Sequence, residues 1–203
     1  AQFILKCDEE EILIQVPNYH RPKIKNASGP FTADESEIDF IDLIIGSEGI
    51  FSLITEVEFN LAKSANEYLD LFITLSSEND AIKFRGYLEE QNMLYNLTAL
   101  EYFGYNCQNY MEHKNKLFKT ETSVGIYLQY PIYKKSMDEA VEQWIQLLDE
   151  SHCEINDDDV LLLNTPDNWR MFFEARHSMP AKALEKTKEL DAVSIITDTI
   201  VPY

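Results

Sequence analysis

The stretch with the clearest chemical use in this sequence is Gly46-Ser47-Glu48-Gly49, a short loop that contains two glycines. Apolar runs stand on both sides of it, within residues 39–56, and this pattern predicts a helix end, a tight loop and a strand. Since glycine has no Cβ, the loop backbone can adopt positive φ and approach a ligand closely. Backbone N–H groups in such a loop can reach a phosphate. A plain helix-to-strand connector with two turn glycines is the alternative interpretation.

Other residue types that could do chemistry lack the necessary spacing. The histidines are scattered without an HxxxH pair, and the adjacent His152 and Cys153 point in different directions on a helix or a strand. We therefore predict no metal site. The sequence also lacks a GxSxG elbow, a P-loop and a GxGxxG loop, so Ser47 is not a predicted nucleophile.

The composition narrows the classes of function. With 203 residues, of which 45% are hydrophobic, the chain can bury a core in one domain or in two small ones. Its formal net charge of −19 disfavours binding to nucleic acid and to anionic lipid. The cysteines are scattered without a CxxC pair, and no signal peptide or apolar span of about 18 residues is found. These features predict a cytoplasmic protein without a membrane span.

Alternating strand and helix patterns predict an α+β fold. Two strands around an acidic turn begin the chain, and residues 57–61 alternate apolar and polar side chains, as a half-buried strand does. A polar stretch at residues 63–67 places the predicted domain boundary after residue 62. Beyond it we expect an antiparallel sheet with helices on one face. In chain order the expected elements are strand 68–75, a helix after Ser77, strand 96–103, strand 124–130, a helix after Ser136, strand 160–163, a helix at Thr165-Pro166 and strand 193–201.

Three segments carry a resemblance to a known enzyme family. Residues 22–29, PKIKNASG, are similar to a PxxKNxxG segment, and residues 39–56, DFIDLIIGSEGIFSLITE, are similar to DLxDLFIGSEGTLGIITE. Residues 173–176, FEAR, and 198–202, DTIVP, are similar to a WxxR…DxxVP segment, with Phe173 in place of the usual Trp. The chain thus resembles a central part of FAD-linked oxidases and dehydrogenases of the vanillyl-alcohol oxidase/p-cresol methylhydroxylase superfamily. The likeness is greatest to the glycolate oxidase or D-lactate dehydrogenase type.

The resemblance implies that residues 1–62 are the C-terminal part of an FAD-binding α+β domain. Residues 63–203 would then be a truncated, ferredoxin-like antiparallel α+β cap domain that holds the substrate. In such enzymes the GSEG loop and the strand after it line the adenosine and pyrophosphate side of FAD, largely through backbone atoms. The residues that this assigns to the cofactor are Gly46, Ser47, Glu48, Gly49, Ile50 and Ile54, with Lys25, Asn26 and Gly29 from the upstream loop. Ile50 and Ser52 stand where the family usually has Thr and Gly.

Arg176 is the residue that the resemblance assigns to the substrate. A guanidinium can bind a carboxylate through two parallel hydrogen bonds, so Arg176 is the candidate catalytic-site contact for a substrate carboxylate. An arginine in a surface or interdomain salt bridge is the alternative interpretation.

The family's glycine-rich pyrophosphate loop and its HxGDGNxH motif are absent from the sequence. We therefore expect a fragment, inactive alone, of an enzyme that oxidises a 2-hydroxy acid or a related alcohol by hydride transfer to FAD. The partners of the full-length enzyme would be a small-molecule substrate and an electron acceptor. The sequence leaves open whether the protein forms a homodimer. A non-catalytic α+β interaction or dimerisation module is the alternative function.

Overall fold

The computed structural model describes residues 2–7, 10–15, 32–33, 37–38, 41, 44–195 and 197. The chain divides into two compact units, Ala1–Leu61 with Ile195–Tyr203 as the first and Ala62–Ser194 as the second. The assignment of these parts to a flavin domain and a cap domain stays a prediction. Within the described ranges, no helix is both long and apolar enough to cross a bilayer.

The first unit contains two short antiparallel strand pairs. Strand β1 (Gln2–Cys7) pairs with β2 (Glu10–Gln15), which confirms the two strands predicted at the start of the chain. The two-residue strands β3 (Thr32–Ala33) and β4 (Glu37–Ile38) form the second pair. Both pairs have the antiparallel register that a short connection between strands allows.

Residues 50–56, where a strand was predicted after the glycine turn, and residues 57–61 both differ from the predicted strands. They have no helix or strand, and the apolar side chains of Val57, Phe59 and Leu61 are exposed. A strand needs a neighbour to accept its backbone hydrogen bonds, and no described strand pairs with either segment. The strand predicted at residues 193–201 is also not formed at residues 193–195, and the rest of it, except Thr197, lies outside the described residues.

The second unit is built on an antiparallel sheet with the strand order β6-β7-β5-β8. These strands are β5 (Glu67–Leu75), β6 (Ala99–Phe103), β7 (Val124–Ile132) and β8 (Val160–Leu162). The central strands β5 and β7 pair along their whole length. Strands β6 and β8 are the edges, because each pairs with only one strand in the described part of the chain. The mixture of helices with an antiparallel sheet confirms the predicted α+β class.

Helices connect and cover these strands. They are α1 (Glu78–Glu90), α2 (Lys114–Leu117), α3 (Met137–Glu150) and α4 (Pro166–Glu189), with 3₁₀ turns at Leu94–Asn96, Tyr105–Tyr110 and Asp157–Asp159. The predicted helix starts at Ser77, Ser136 and Thr165 are confirmed, because each side chain accepts a hydrogen bond from the amide three residues beyond it. At Ser136 the Glu139 carboxylate also accepts from the Ser136 amide, which completes a capping box.

Both faces of the sheet are covered by helices, which corrects the expectation that helices lie on one face. Leu69 of β5 belongs to the core that includes Phe84 of α1 and Trp144 of α3. Phe72 of β5 belongs to a second core and packs on Phe172 of α4, with ring centroids 5.5 Å apart. Strands with apolar side chains on both faces need cover on both, and β5 is buried almost throughout.

Candidate functional site

Helical hydrogen bonds to the carbonyls of Ile41 and Ile44 lead into the glycine motif. The Ile45 N–H donates to the Ile41 carbonyl over 2.9 Å, and the Ser47 N–H donates to the Ile44 carbonyl over 3.1 Å. Gly46 has a φ of +73°, a left-handed conformation that often follows the last residue of a helix. Glycine adopts this conformation without a steric penalty, so the predicted helix end is present at this position.

The next four residues form a tight turn. The Ile50 N–H donates to the Ser47 carbonyl over 3.0 Å, and the two central residues, Glu48 and Gly49, have φ values of +52° and +79°. Positive φ at both central positions is typical of a type I′ turn. Apart from its chain neighbours, no atom of the described residues lies within 4 Å of a Cβ built on Gly49, so the described part of the chain leaves this side of the turn open.

The backbone amides of Glu48 and Gly49 are the chemically useful groups of this turn. Both residues are exposed, and neither amide donates a hydrogen bond to another described residue. Two neighbouring N–H groups of this kind can donate to an anionic oxygen such as that of a phosphate. The nearby side chains of Ile50 and Ile54 are 78% and 57% exposed, so they can cover an apolar part of a ligand. The other residues predicted for the cofactor lie outside the described residues: Lys25, Asn26 and Gly29.

Arg176 lies on α4 and forms a two-pronged ion pair with Glu101 of β6. The Arg176 Nε donates to Glu101 Oε2 and the Arg176 Nη2 donates to Glu101 Oε1, each over 2.8 Å. These hydrogen bonds raise the pKa of Arg176, so the guanidinium stays charged. The two side chains are 40% and 35% exposed. Nη1 donates to no described residue, which leaves its two N–H groups for a ligand.

A buried carboxylate on the same face of the sheet was not predicted from the sequence. Asp70 Oδ1 accepts hydrogen bonds from the Tyr127 hydroxyl over 2.6 Å and from Gln129 Nε2 over 2.9 Å. Burial, together with the Asp70 carboxylate, raises the pKa of Tyr127, which therefore keeps its proton. Glu101 lies directly opposite Tyr127 in the β6–β7 register. A signal for this cluster exists in the sequence as the one acid inside the apolar run LDLFITL.

The aromatic residues that start α4 are only partly core. Phe172 is buried in the second core, whereas Trp169 and Phe173 are partly exposed. The exposed His177 ring stacks on Phe173, with centroids 4.0 Å apart and planes 24° apart. Within the described ranges, no three His, Cys, Asp or Glu side chains lie close enough together to hold a metal ion.

The two candidate sites lie in different units of the chain. The glycine turn belongs to the first unit and Arg176 belongs to the second. Comparison with known proteins adds no assignment, because neither a protein-family model nor a curated protein matches the chain. The resemblance to flavin oxidases therefore stays a prediction from the quoted segments of sequence.

Proposed function

We propose that the chain is part of an FAD-dependent oxidoreductase that oxidises a 2-hydroxy acid or a related alcohol. The observation that carries the proposal is the open turn at residues 47–50, in which the Glu48 and Gly49 amides have no acceptor among the described residues. This turn lies inside the longest segment that resembles the flavin oxidases, residues 39–56. The segment that faces the cofactor's pyrophosphate in those enzymes thus has a backbone suited to an anion.

In this proposal the turn holds the FAD pyrophosphate through its amides. The space beside Gly49 fits such a contact, because among the described residues no atom beyond its chain neighbours lies within 4 Å of a Cβ built there. Ile50 and Ile54 would pack against the adenosine, and the exposure of both side chains supports this contact. Bound FAD supplies redox chemistry that amino-acid side chains lack, while the chain's own contribution is binding and orientation.

Arg176 is the proposed contact for a substrate carboxylate. Its ion pair with Glu101 fixes Nε and Nη2, so the plane of the guanidinium is held while Nη1 stays available. A side chain that is already held loses less conformational entropy when it binds a ligand. Glu101 therefore acts in this proposal as a positioning residue for Arg176.

Within this proposal the second unit is a ferredoxin-like cap domain. The element order β5-α1-β6-β7-α3-β8 and the strand order β6-β7-β5-β8 support this assignment. We place the protein in the cytoplasm, and the free thiols of Cys107 and Cys153 support a reducing compartment.

The proposal is tested by measuring the Kd for FAD of the full-length protein that carries Gly49→Ala. Gly49→Ala puts a Cβ on a residue whose φ is +79°, which strains the turn and moves its amides. We expect the Kd for FAD to rise about tenfold. The matched control is Gly86→Ala on α1, where a Cβ also meets no atom within 4 Å but φ is helical. An unchanged Kd in Gly49→Ala would contradict the role of the turn.

A non-catalytic interaction or dimerisation module is the second candidate function. It is favoured by strand β6, whose outer edge pairs with no described strand, and by an apolar cleft beside that strand. A full-length protein that takes up no FAD but associates through this face would favour the module over the enzyme.

A further inference from the structure

An apolar cleft of about 400 Å³ lies between helix α1 and the edge strand β6. Its walls include Ala81 and Ile82 of α1, Leu100 of β6 and Ile126 of β7. Ile82 is 68% exposed and Leu100 is 39% exposed, although both side chains are apolar. These two side chains give the cleft an exposed apolar face that another chain can cover.

Strand β6 has an open edge beside this cleft. It pairs with β7 on one side, and no described strand pairs with its other side. The outward N–H and C=O groups of an edge strand can pair with a strand of another chain. Natural edge strands are often protected by proline or by charged side chains. Ala99–Phe103 has no proline, and its one charged residue, Glu101, is paired with Arg176.

Three charged residues line the cleft. Glu101 is already paired with Arg176, and the other two are arranged to complement a second copy. Glu78 and Arg85 both line the cleft, at positions i and i+7 of α1, with Ile82 between them. Two helical turns separate them by about 10 Å on one side of the helix. If two α1 helices lie antiparallel about a twofold axis through Ile82, Glu78 of each copy faces Arg85 of the other.

Both charged groups have unused hydrogen-bonding capacity. Glu78 Oε1 accepts from the Tyr102 hydroxyl over 2.9 Å, and Oε2 has no partner among the described residues. Arg85 donates through Nη1 to Glu89 on the same helix, and its side chain is 39% exposed. A guanidinium has five N–H donors, so Arg85 can bind a second carboxylate without losing the first.

We propose that the chain forms a twofold homodimer in which β6 pairs antiparallel with β6 of a second copy. The two α1 helices then lie side by side and close the apolar clefts, and Glu78 and Arg85 form two equivalent ion pairs between the copies. A second copy is the occupant that the charges specify, because an isologous interface must complement itself. The proposed dimer uses the second unit alone and does not depend on flavin binding.

Sedimentation equilibrium of the chain and of charge variants tests the dimer. We expect the wild type to sediment with twice the chain mass of 23.6 kDa. Glu78→Arg or Arg85→Glu places like charges at both ion pairs, so each raises the dimer Kd about tenfold or more. The double variant exchanges the signs and restores both pairs, so its Kd returns to within about threefold of wild type. The control Glu142→Arg, on the exposed surface of α3 outside this cleft, makes the same charge change and leaves the Kd unchanged.

A second pair of variants tests the apolar contact. Ile82→Lys places two charges at the axis and raises the dimer Kd, whereas Ile145→Lys, on the exposed side of α3, does not. Circular dichroism checks that both variants keep the fold, which the exposure of both side chains leads us to expect. Three results would overturn the proposal: a monomeric wild type, a dimer that Glu78→Arg leaves intact, or a double variant that stays dissociated.

Discussion

Arg176 shows how one side chain can serve the fold and a ligand together. Its two hydrogen bonds to Glu101 connect helix α4 to strand β6, and the partial exposure of both side chains limits what the pair adds to stability. The fork geometry needs two nitrogen donors in one plane, which lysine does not have. The proposed substrate contact through Nη1 requires the same plane.

Arg176→Lys in the full-length protein tests that contact. Lysine keeps the positive charge but loses the fork to Glu101 and the remaining Nη1 donors. We expect the KM for a carboxylate substrate to rise about tenfold, with a smaller change in the Tm. Lys182→Arg, at a cation of α4 that pairs with Glu112, is the control and leaves the KM unchanged. Unchanged kinetics in Arg176→Lys would remove Arg176 from the substrate site.

Tyr127→Phe tests the buried carboxylate at the same scale. The variant removes the hydroxyl that donates to Asp70 Oδ1 and leaves Gln129 as the remaining donor to that oxygen. A hydrogen bond to a buried charged group contributes roughly 1.5–3 kcal/mol, and we expect the free energy of unfolding to fall by that amount. Urea unfolding measures it, with Tyr95→Phe as the control, because the Tyr95 side chain is exposed. If Tyr127→Phe and Tyr95→Phe lowered the free energy of unfolding equally, the proposed contribution of the Tyr127–Asp70 hydrogen bond would be contradicted.

At the scale of elements, the start of helix α1 depends on a carboxylate in its first turn. Asp80 accepts hydrogen bonds from the hydroxyls of Ser77 and Ser76 and from Lys83. These bonds lower the pKa of Asp80 from 3.8 to about 2. A lowered pKa means that the folded state favours the ionised form, so this stabilisation is present above pH 3.8.

The stabilisation from Asp80 is therefore lost as the pH falls from 3.8 towards about 2. We expect Asp80→Asn to have a lower free energy of unfolding at neutral pH and a smaller decrease in it over that pH range. Chemical unfolding at a series of pH values measures both. Asp138→Asn, in the first turn of α3, is the matched control because Asp138 has no such set of hydroxyl donors in the described part of the chain. If the free energy of unfolding of Asp80→Asn depended on pH as that of the wild type does, the proposed stabilisation by the Asp80 carboxylate would be contradicted.

Local signals made some elements predictable from the sequence. The caps at Ser77 and Ser136 lie within three residues of the groups that they bind, so the sequence pattern alone predicts both helix starts. The strand at residues 57–61 was predicted from the same kind of pattern, but a strand also needs a partner that no local pattern specifies.

The residues of the candidate sites were likewise predictable from the sequence only where the signal is local. Gly46 and Gly49 were predictable as turn residues, because positive φ selects glycine at single positions. The Arg176–Glu101 ion pair and the Asp70–Tyr127 hydrogen bond were not, because each joins residues that only the strand register and helix packing bring together. The second helical layer was missed for that reason too, since α4 covers a face of the sheet far from it in sequence.

At the scale of the whole molecule, the proposed activities belong to different units. The open glycine turn of the first unit supports cofactor binding, and the edge strand and cleft of the second support a dimer. The net charge of −19 makes close approach of two copies costly unless charges at the interface are paired. In the proposed dimer, the ion pairs between Glu78 of one copy and Arg85 of the other meet that condition at the interface.

The visible absorbance spectrum of the purified full-length protein tests the flavin proposal most directly. We expect flavin absorbance bands that co-purify with the protein, release of FAD on denaturation, and weaker bands in Gly49→Ala than in Gly86→Ala. A colourless protein that takes up no added FAD would contradict the proposed function.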